Sequence, residues 1–261
     1  MNQPKRQQTL PDLKPTASGD ALYRALGQAA RLLYRLLMSV RIEGKENLPQ
    51  DGGYIIVSNH LSEIDPITVA YPSFISGTLP RFLAKESLFH APVLGFILRK
   101  LAHVPVARGS IDARKSLRTA QNIIEAGGAV VIYPEGTLTQ DPDLWPMQGR
   151  TGAARLALAT GAPLVPIAHW GDHEFLPART AKPRIWPRKK VTIRVGKPLD
   201  LSAYRSEQSE QGSGPASRDQ LAALTEHMLQ EITKLLANIR GQQPPASLYN
   251  PATGKRQEPG E

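Results

Sequence analysis

Six short apolar runs, at 54–58, 81–84, 103–107, 129–133, 164–168 and 191–195, alternate along this chain with stretches of helical periodicity. Strands that alternate with helices must be joined by crossovers, and that forces an α/β fold with a largely parallel sheet flanked by helices. The expected helices cover 65–71, 87–100, 110–126, 150–160 and 218–240. Gly127-Gly128 closes the third of these and Gly161-Ala162-Pro163 the fourth, with glycine at the C-cap and, in the second case, proline beyond it. At 261 residues the chain is long enough for one such domain with tails. Ligands of open parallel sheets collect beyond the carboxyl ends of the strands, so the loops after the apolar runs are where chemistry is expected.

An amphipathic helix is expected to precede this domain. Over 21–41, Leu22, Leu26, Ala29, Leu33, Leu36 and Val40 recur at helical spacing, while Arg24, Gln28, Arg31 and Arg35 fall opposite. Those arginines break any apolar run of the ~18 residues that a membrane-crossing helix needs. A helix of this kind lies in a lipid interface or packs on its own domain. Residues 1–20 lack the apolar core of a signal peptide and read as a disordered tail, as does 241–261; 206–217 reads as a loop. The domain is therefore expected to span 21–240.

Charge and cysteine usage narrow the setting. The chain has no cysteine, which excludes disulfides and thiolate chemistry and fits a cytoplasmic location. Net charge is +9, and between Phe175 and Leu199 stand Arg179, Lys182, Arg184, Arg188, Lys189, Lys190, Arg194 and Lys197 with no acidic residue. Such a patch favours an anionic partner. No nucleic-acid module is present, and Trp186 among the charges suits headgroup depth, so an anionic membrane surface is expected and nucleic acid is not.

Two strand-to-loop junctions carry reactive residue types. After Tyr54-Ile55-Ile56-Val57 comes Asn59-His60-Leu61-Ser62-Glu63-Ile64-Asp65-Pro66, which places His60 and Asp65 five positions apart. Asp65 and Pro66 read as the N-cap and first residue of a helix, so the intervening turn is tight. An imidazole whose other nitrogen is held by a carboxylate is a general base at neutral pH. The second junction is Tyr133-Pro134-Glu135-Gly136-Thr137, where glycine frees the backbone and the threonine hydroxyl and amides can hold an anion. Each junction alone has a plain structural reading, a helix cap and a turn.

Other constellations are weaker. His169 and His173, with Asp172 and Glu174, have metal-ligand spacing, but Gly171 interrupts the segment and no metal site is expected. There is no Gly-x-Ser-x-Gly elbow, no glycine-rich dinucleotide motif and no P-loop.

Taken in order, four blocks resemble the glycerolipid acyltransferase family, best known for its 1-acyl-sn-glycerol-3-phosphate acyltransferases. They are His60 through Asp65; Arg81-Phe82-Leu83-Ala84-Lys85-Glu86 with Gly95 and Val104-Pro105-Val106-Ala107-Arg108-Gly109; Tyr133 through Thr137; and Ala162-Pro163-Leu164-Val165-Pro166-Ile167. The third block departs from the family, because Leu138 stands where arginine is usual. The resemblance implies that His60, oriented by Asp65, deprotonates the hydroxyl of a lysophospholipid as it attacks an acyl thioester. Lys85, Arg108, Glu135, Gly136 and Thr137, with Arg150 nearby, would hold the acceptor phosphate. Acyl-CoA or acyl-carrier-protein would be the co-substrate, with no bound cofactor, and the enzyme would sit peripherally on the cytoplasmic face of a membrane. Acylation of another alcohol, such as glycerol 3-phosphate or a glycolipid, and lipid ester hydrolysis stand as alternatives. The helix at 87–100, with Leu88, Phe89, Val93, Leu94, Phe96, Ile97 and Leu98, would either line an acyl groove or be buried.

Overall fold

The computed structural model describes residues 14–106, 112–204 and 216–256, with side chains of the second segment from 115 onward. In chain order it forms α1 (Ala17–Leu37), β1 (Met38–Glu43), β2 (Tyr54–Ser58), α2 (Asp65–Ile75), β3 (Arg81–Lys85), α3 (Pro92–Lys100), β4 (Val104–Val106), α4 (Asp112–Glu125) and β5 (Ala129–Ile132). Then follow α5 (Gly152–Thr160), β6 (Leu164–Trp170), α6 (Asp172–Phe175), β7 (Lys189–Val195), α7 (Arg218–Arg240), β8 (Tyr249–Asn250) and β9 (Lys255–Arg256). The described residues contain a seven-stranded sheet in the order β1-β7-β6-β2-β5-β3-β4. Every neighbour pair in it is parallel except β6 and β7.

The central strand β2 explains why both faces are covered. Ile55 and Val57 enter one core with α4, α5 and α7, while Tyr54 and Ile56 enter the other with α1 and α2, and all four are buried. A strand apolar on both faces can sit only in the middle of such a sandwich. Each of these buried aliphatic or aromatic side chains contributes about 1.5–3 kcal/mol by leaving water.

The amino-terminal helix differs from the expectation at both ends. Thr16 caps it, accepting from the Gly19 amide, so it starts at Ala17 inside the stretch read as a tail. It stops at Leu37 because Met38, Val40 and Ile42 turn one side of a strand into the core, registered against Lys189, Val191 and Ile193 of β7. Its buried side is also different. Gly19, Tyr23 and Tyr34 face the domain, and Gly27 packs so tightly on Phe74 of α2 that a Cβ would stand 2.3 Å from the ring. The expected apolar stripe is largely exposed instead: Leu26, Leu33 and Leu36 face solvent, with Leu32 beside them.

Three further expectations change. The helix expected at 87–100 is a 3-10 turn at Glu86–His90 followed by α3, because Gly95 backs onto the Phe89 carbonyl and Ala91-Pro92 restarts the helix. Within it Phe89 is buried whereas Val93 and Phe96 are exposed, so the helix is neither apolar surface nor core throughout. Residues 241–256, read as part of a disordered tail, carry the hairpin β8–β9, and Arg256 grips the buried Asp141 with both carboxylate oxygens accepting. Arg108 lies outside the described residues, as do 1–13, 205–215 and 257–261.

Candidate active site

The carboxyl ends of β3, β5, β2 and β6 are neighbours in the sheet, and they deliver Lys85, Tyr133, His60 and His169 to one edge. In the turn after β2, the His60 Nδ1–H donates to Asp65 Oδ2 at 3.1 Å. Asp65 is not the helix N-cap; Ile64 holds that position and makes no side-chain cap bond. The Asp65 carboxylate instead folds back over its own turn, where Oδ2 also accepts the Leu61 amide and, at 2.8 Å, the Ser62 amide. Three donors on one oxygen fix the carboxylate and with it the imidazole. Since a carboxylate only accepts, Nδ1 carries the proton and Nε2 is left as an acceptor.

The turn after β5 braces this loop from the other side. Glu135 Oε1 accepts the His60 amide at 3.3 Å and Oε2 accepts the Met147 amide at 3.1 Å, while the Thr139 amide donates to the His60 carbonyl at 2.8 Å. Burial pushes the Glu135 carboxyl up to about 8, against the pull of Met147, Thr139 and His60. Glu135 is thus turned inward as a strut, and it is not among the residues that line the adjoining cavity. The Tyr133 ring stacks on the His60 ring with centroids 4.0 Å apart.

His60, whose side chain is 18% exposed, opens onto a cavity of about 410 Å³. Lys85, Gly136, Thr137 and Arg150 line the same space, so the sequence-expected residues gather there except the buried Asp65 and Glu135 and the undescribed Arg108. Gly136 takes φ +73° in its turn, a conformation that disfavours other residues. Leu138 is buried and presents no polar group to the cavity. Pro66, Phe82, Ala84 and Leu88 line this cavity and also a second one of about 430 Å³ between α1, α2 and α3. The second is walled mostly by apolar side chains, among them Leu94, Ile97 and Leu98 of α3.

Beneath the His60–Asp65 pair lies a buried polar group whose sequence shows only weak metal-ligand spacing. Gly171, at φ +116° with the Lys190 carbonyl 2.0 Å from where a Cβ would be, turns the chain after β6 so that Asp172 comes back beside His169. His169 Nδ1 is 2.6 Å from Asp172 Oδ2, its Nε2 is 3.0 Å from the Asn59 carbonyl, and Asp65 Oδ2 lies 3.6 Å from that same Nε2. Asp172 Oδ1 accepts the hydroxyls of Tyr34 at 2.8 Å and Thr68 at 2.6 Å. Asp65, His169 and Asp172 offer donor atoms within 4.8 Å of one another. Both His169 nitrogens and Asp172 Oδ2 are already engaged, so a cation would have to break existing bonds. His173, the other histidine of that segment, packs against Trp170 with the two rings tilted by 57°. The sequence signal that could have exposed this group is a histidine inside an otherwise apolar strand, which cannot be buried without partners.

Comparison with known proteins identifies the family and the fold. Residues 39–170 match the family model described as Acyltransferase. The 1-acyl-sn-glycerol-3-phosphate acyltransferase of Bacillus subtilis is 29% identical over 217 residues, covering 82% of this chain and 96% of that protein. A chloroplastic enzyme of the same name from Brassica napus is 32% identical over 162 residues, 60% of this chain and 44% of that one. In fold, the chain resembles the crystal structure of the Thermotoga maritima 1-acyl-sn-glycerophosphate acyltransferase, with a TM-score of 0.60, 21% identity and coverage of 87% and 83%. With its family model spanning the strands that carry the histidine turn and the Glu-Gly-Thr turn, this chain belongs to the acyltransferase family.

Proposed function

We propose that the protein transfers an acyl group from a thioester, acyl-CoA or acyl-carrier-protein, to the free hydroxyl of lysophosphatidic acid, giving phosphatidic acid. The observation that carries this reading is that His60, held by Asp65, opens onto a cavity lined by Lys85 and Arg150 and adjoining a mostly apolar second cavity. His60 Nε2 takes the proton of the acceptor hydroxyl as its oxygen attacks the thioester carbonyl, and Asp65 stabilises the imidazolium that forms. Collapse of the tetrahedral intermediate expels the thiolate, which recovers the proton. No covalent acyl-enzyme is needed.

Lys85 and Arg150 hold the acceptor phosphate, aided by the Gly136-Thr137 turn, through charge-assisted hydrogen bonds. The space between α1, α2 and α3 takes the acyl chain, which continues from the reacting centre past Pro66 and Leu88. The exposed leucines of α1, together with Trp186 at 86% exposure and the basic segment around it, suit peripheral seating on an anionic membrane. Among the described residues, no helix is long and apolar enough to cross a membrane.

The test is lipid mass spectrometry after incubating purified protein with an acyl thioester and a panel of acceptors. Phosphatidic acid formed from lysophosphatidic acid, and abolished by His60→Ala, supports the reading. Preferential acylation of glycerol 3-phosphate or a glycolipid replaces the acceptor, and free fatty acid without any acceptor product makes the protein an esterase.

A further inference from the structure

We infer that His169 is a positioning residue held as an imidazolium at neutral pH, whose positive charge sets the behaviour of the His60–Asp65 pair. The inference rests on the proposed role of His60 as base. Its geometric basis is that each ring nitrogen of His169 faces an atom that can only accept: Nδ1 faces Asp172 Oδ2 and Nε2 faces the Asn59 carbonyl. A neutral imidazole has one N–H and would leave a carbonyl or a carboxylate facing a lone pair. Moving the proton to Asp172 does not resolve this, because its other oxygen already accepts two hydroxyls, from Tyr34 and Thr68, an arrangement that favours the carboxylate.

Asp65 supplies the second argument. It is fully buried, and its Oδ1 accepts no hydrogen bond from the described residues. A half-satisfied carboxylate in the interior needs compensation, and the cation 3.6 Å from Oδ2 provides it. The charges facing His169 are Asp65 from α2, Asp172 from α6 and, through Asp65, His60; Tyr34 of α1, Tyr133 just after β5, Glu135, His173 and, beside His173, Glu174 are the further titratable groups around them. Burial would pull the His169 proton off, but the charges of Asp65 and Asp172 outweigh it and lift the group to about 9. Two carboxylates and one fixed cation leave a single net negative charge under His60.

Two measurements test this. In the full chain labelled with 15N-histidine, His169 should show both ring nitrogens protonated at pH 7, losing one proton near pH 9; a bare nitrogen at pH 7 overturns the inference. This readout needs no substrate, so it stands or fails apart from the proposed reaction, which His60→Ala tests. In the second, His169→Gln removes the cation and leaves Asp172 uncompensated, so the acid limb of the kcat/KM profile should move up by about one pH unit, roughly tenfold on the limb. A loss equal at every pH would mean that His169 only packs, and would overturn the assignment. If His169→Gln does not fold, the isosteric Asp172→Asn replaces it, and the His169 deprotonation must then fall by at least about one pH unit; an unmoved midpoint overturns the inference.

Discussion

The rings of His60 and Tyr133 lie face to face, with centroids 4.0 Å apart and planes inclined by 12°. One grows from the turn after β2, the other from the end of the adjacent β5, so the register of two parallel strands sets the plane of the imidazole. Asp65 pins the ring at one edge and Tyr133 covers one face, which leaves the opposite edge as the working side.

Replacing His60 by alanine should lower turnover by a factor on the order of 10² to 10⁴, with the thermal midpoint almost unchanged. Asp65→Asn should be slow as well and also less stable, since the carboxylate holds the Leu61 and Ser62 amides. Steady-state kinetics beside thermal melts separate the two effects. Wild-type turnover in His60→Ala would end the general-base reading.

Arg150→Ala and Lys85→Ala should raise KM for a phosphate-bearing acceptor more than they lower kcat, because both cations line the cavity and neither is part of the reacting pair. A phosphate-free acceptor provides the control. If KM for it rises equally, those residues shape the cavity without reading phosphate. Leu138→Arg, which would import the usual family residue, should cost stability, because Leu138 is buried here.

Binding to vesicles that contain anionic lipid should be detectable by co-sedimentation and partly reversed by salt, which screens exposed charge but not apolar insertion. The variant to compare is Leu32→Ser with Leu33→Ser and Leu36→Ser. Deleting the helix would not be informative, because Tyr34 and β1 belong to the core. Equal sedimentation of the triple variant would remove α1 from the membrane surface.

Stability should vary with pH in a form set by three buried groups. Burial, reinforced by the Arg81 charge, lowers His103 to about 3, so its contribution is present above its ordinary 6.5 and is lost as pH falls towards 3. His169, raised to about 9, contributes fully below 6.5 and loses that contribution as pH rises through 9. Glu135, raised to about 8, likewise weakens the fold progressively between 4.5 and 8. Between 4.5 and 6.5 the contribution of Glu135 is opposed by His103 and by His173, which burial also lowers. The melting temperature should therefore fall below 4.5 and again from 6.5 to 9; a midpoint that climbs between 6.5 and 9 contradicts the assignment.

Arg256→Ala should destabilise by about 2 kcal/mol, since it strands the buried carboxylate of Asp141 while the arginine itself is partly solvated. The loop it secures runs through Thr139 and Met147 to Arg150, and those residues hold His60 and Glu135. A severalfold fall in kcat/KM should accompany the loss. Melts and kinetics on the same preparation would show whether the hairpin is a strut or an ornament.

Local signals were legible and pairings across the sheet were not. The helix expected at 218–240 occupies Arg218–Arg240, where Ser217 and Gln220 make a reciprocal cap at one end and Gly241 closes the other. His60 and Asp65 could be paired from sequence because one short turn contains both. By contrast, Met38–Glu43 continues an apolar helical stripe, and only β7, some 150 residues later, makes it a strand. Sequence groups Glu135 with Gly136 and Thr137 as a substrate contact, but only the latter two line the cavity; the inward turn of Glu135 follows from two amides, His60 and Met147, that sequence does not bring together. The partnership of His169 with Asn59 spans 110 positions and leaves no local trace.

Tyr34 gives the amino-terminal helix an unequal tolerance to change. Leu32, Leu33 and Leu36 can vary among apolar residues without touching the reaction, since they face outward. Tyr34, between them in sequence, donates its hydroxyl to Asp172 and so belongs to the wiring that ends at His60. A saturation scan of α1 read out by lipid product would find a deep minimum at Tyr34, packing minima at Gly19, Tyr23 and Gly27, and a permissive outward face. Drift along that helix can rewrite its outward face, but a single oxygen atom ties its history to that of the His60 turn.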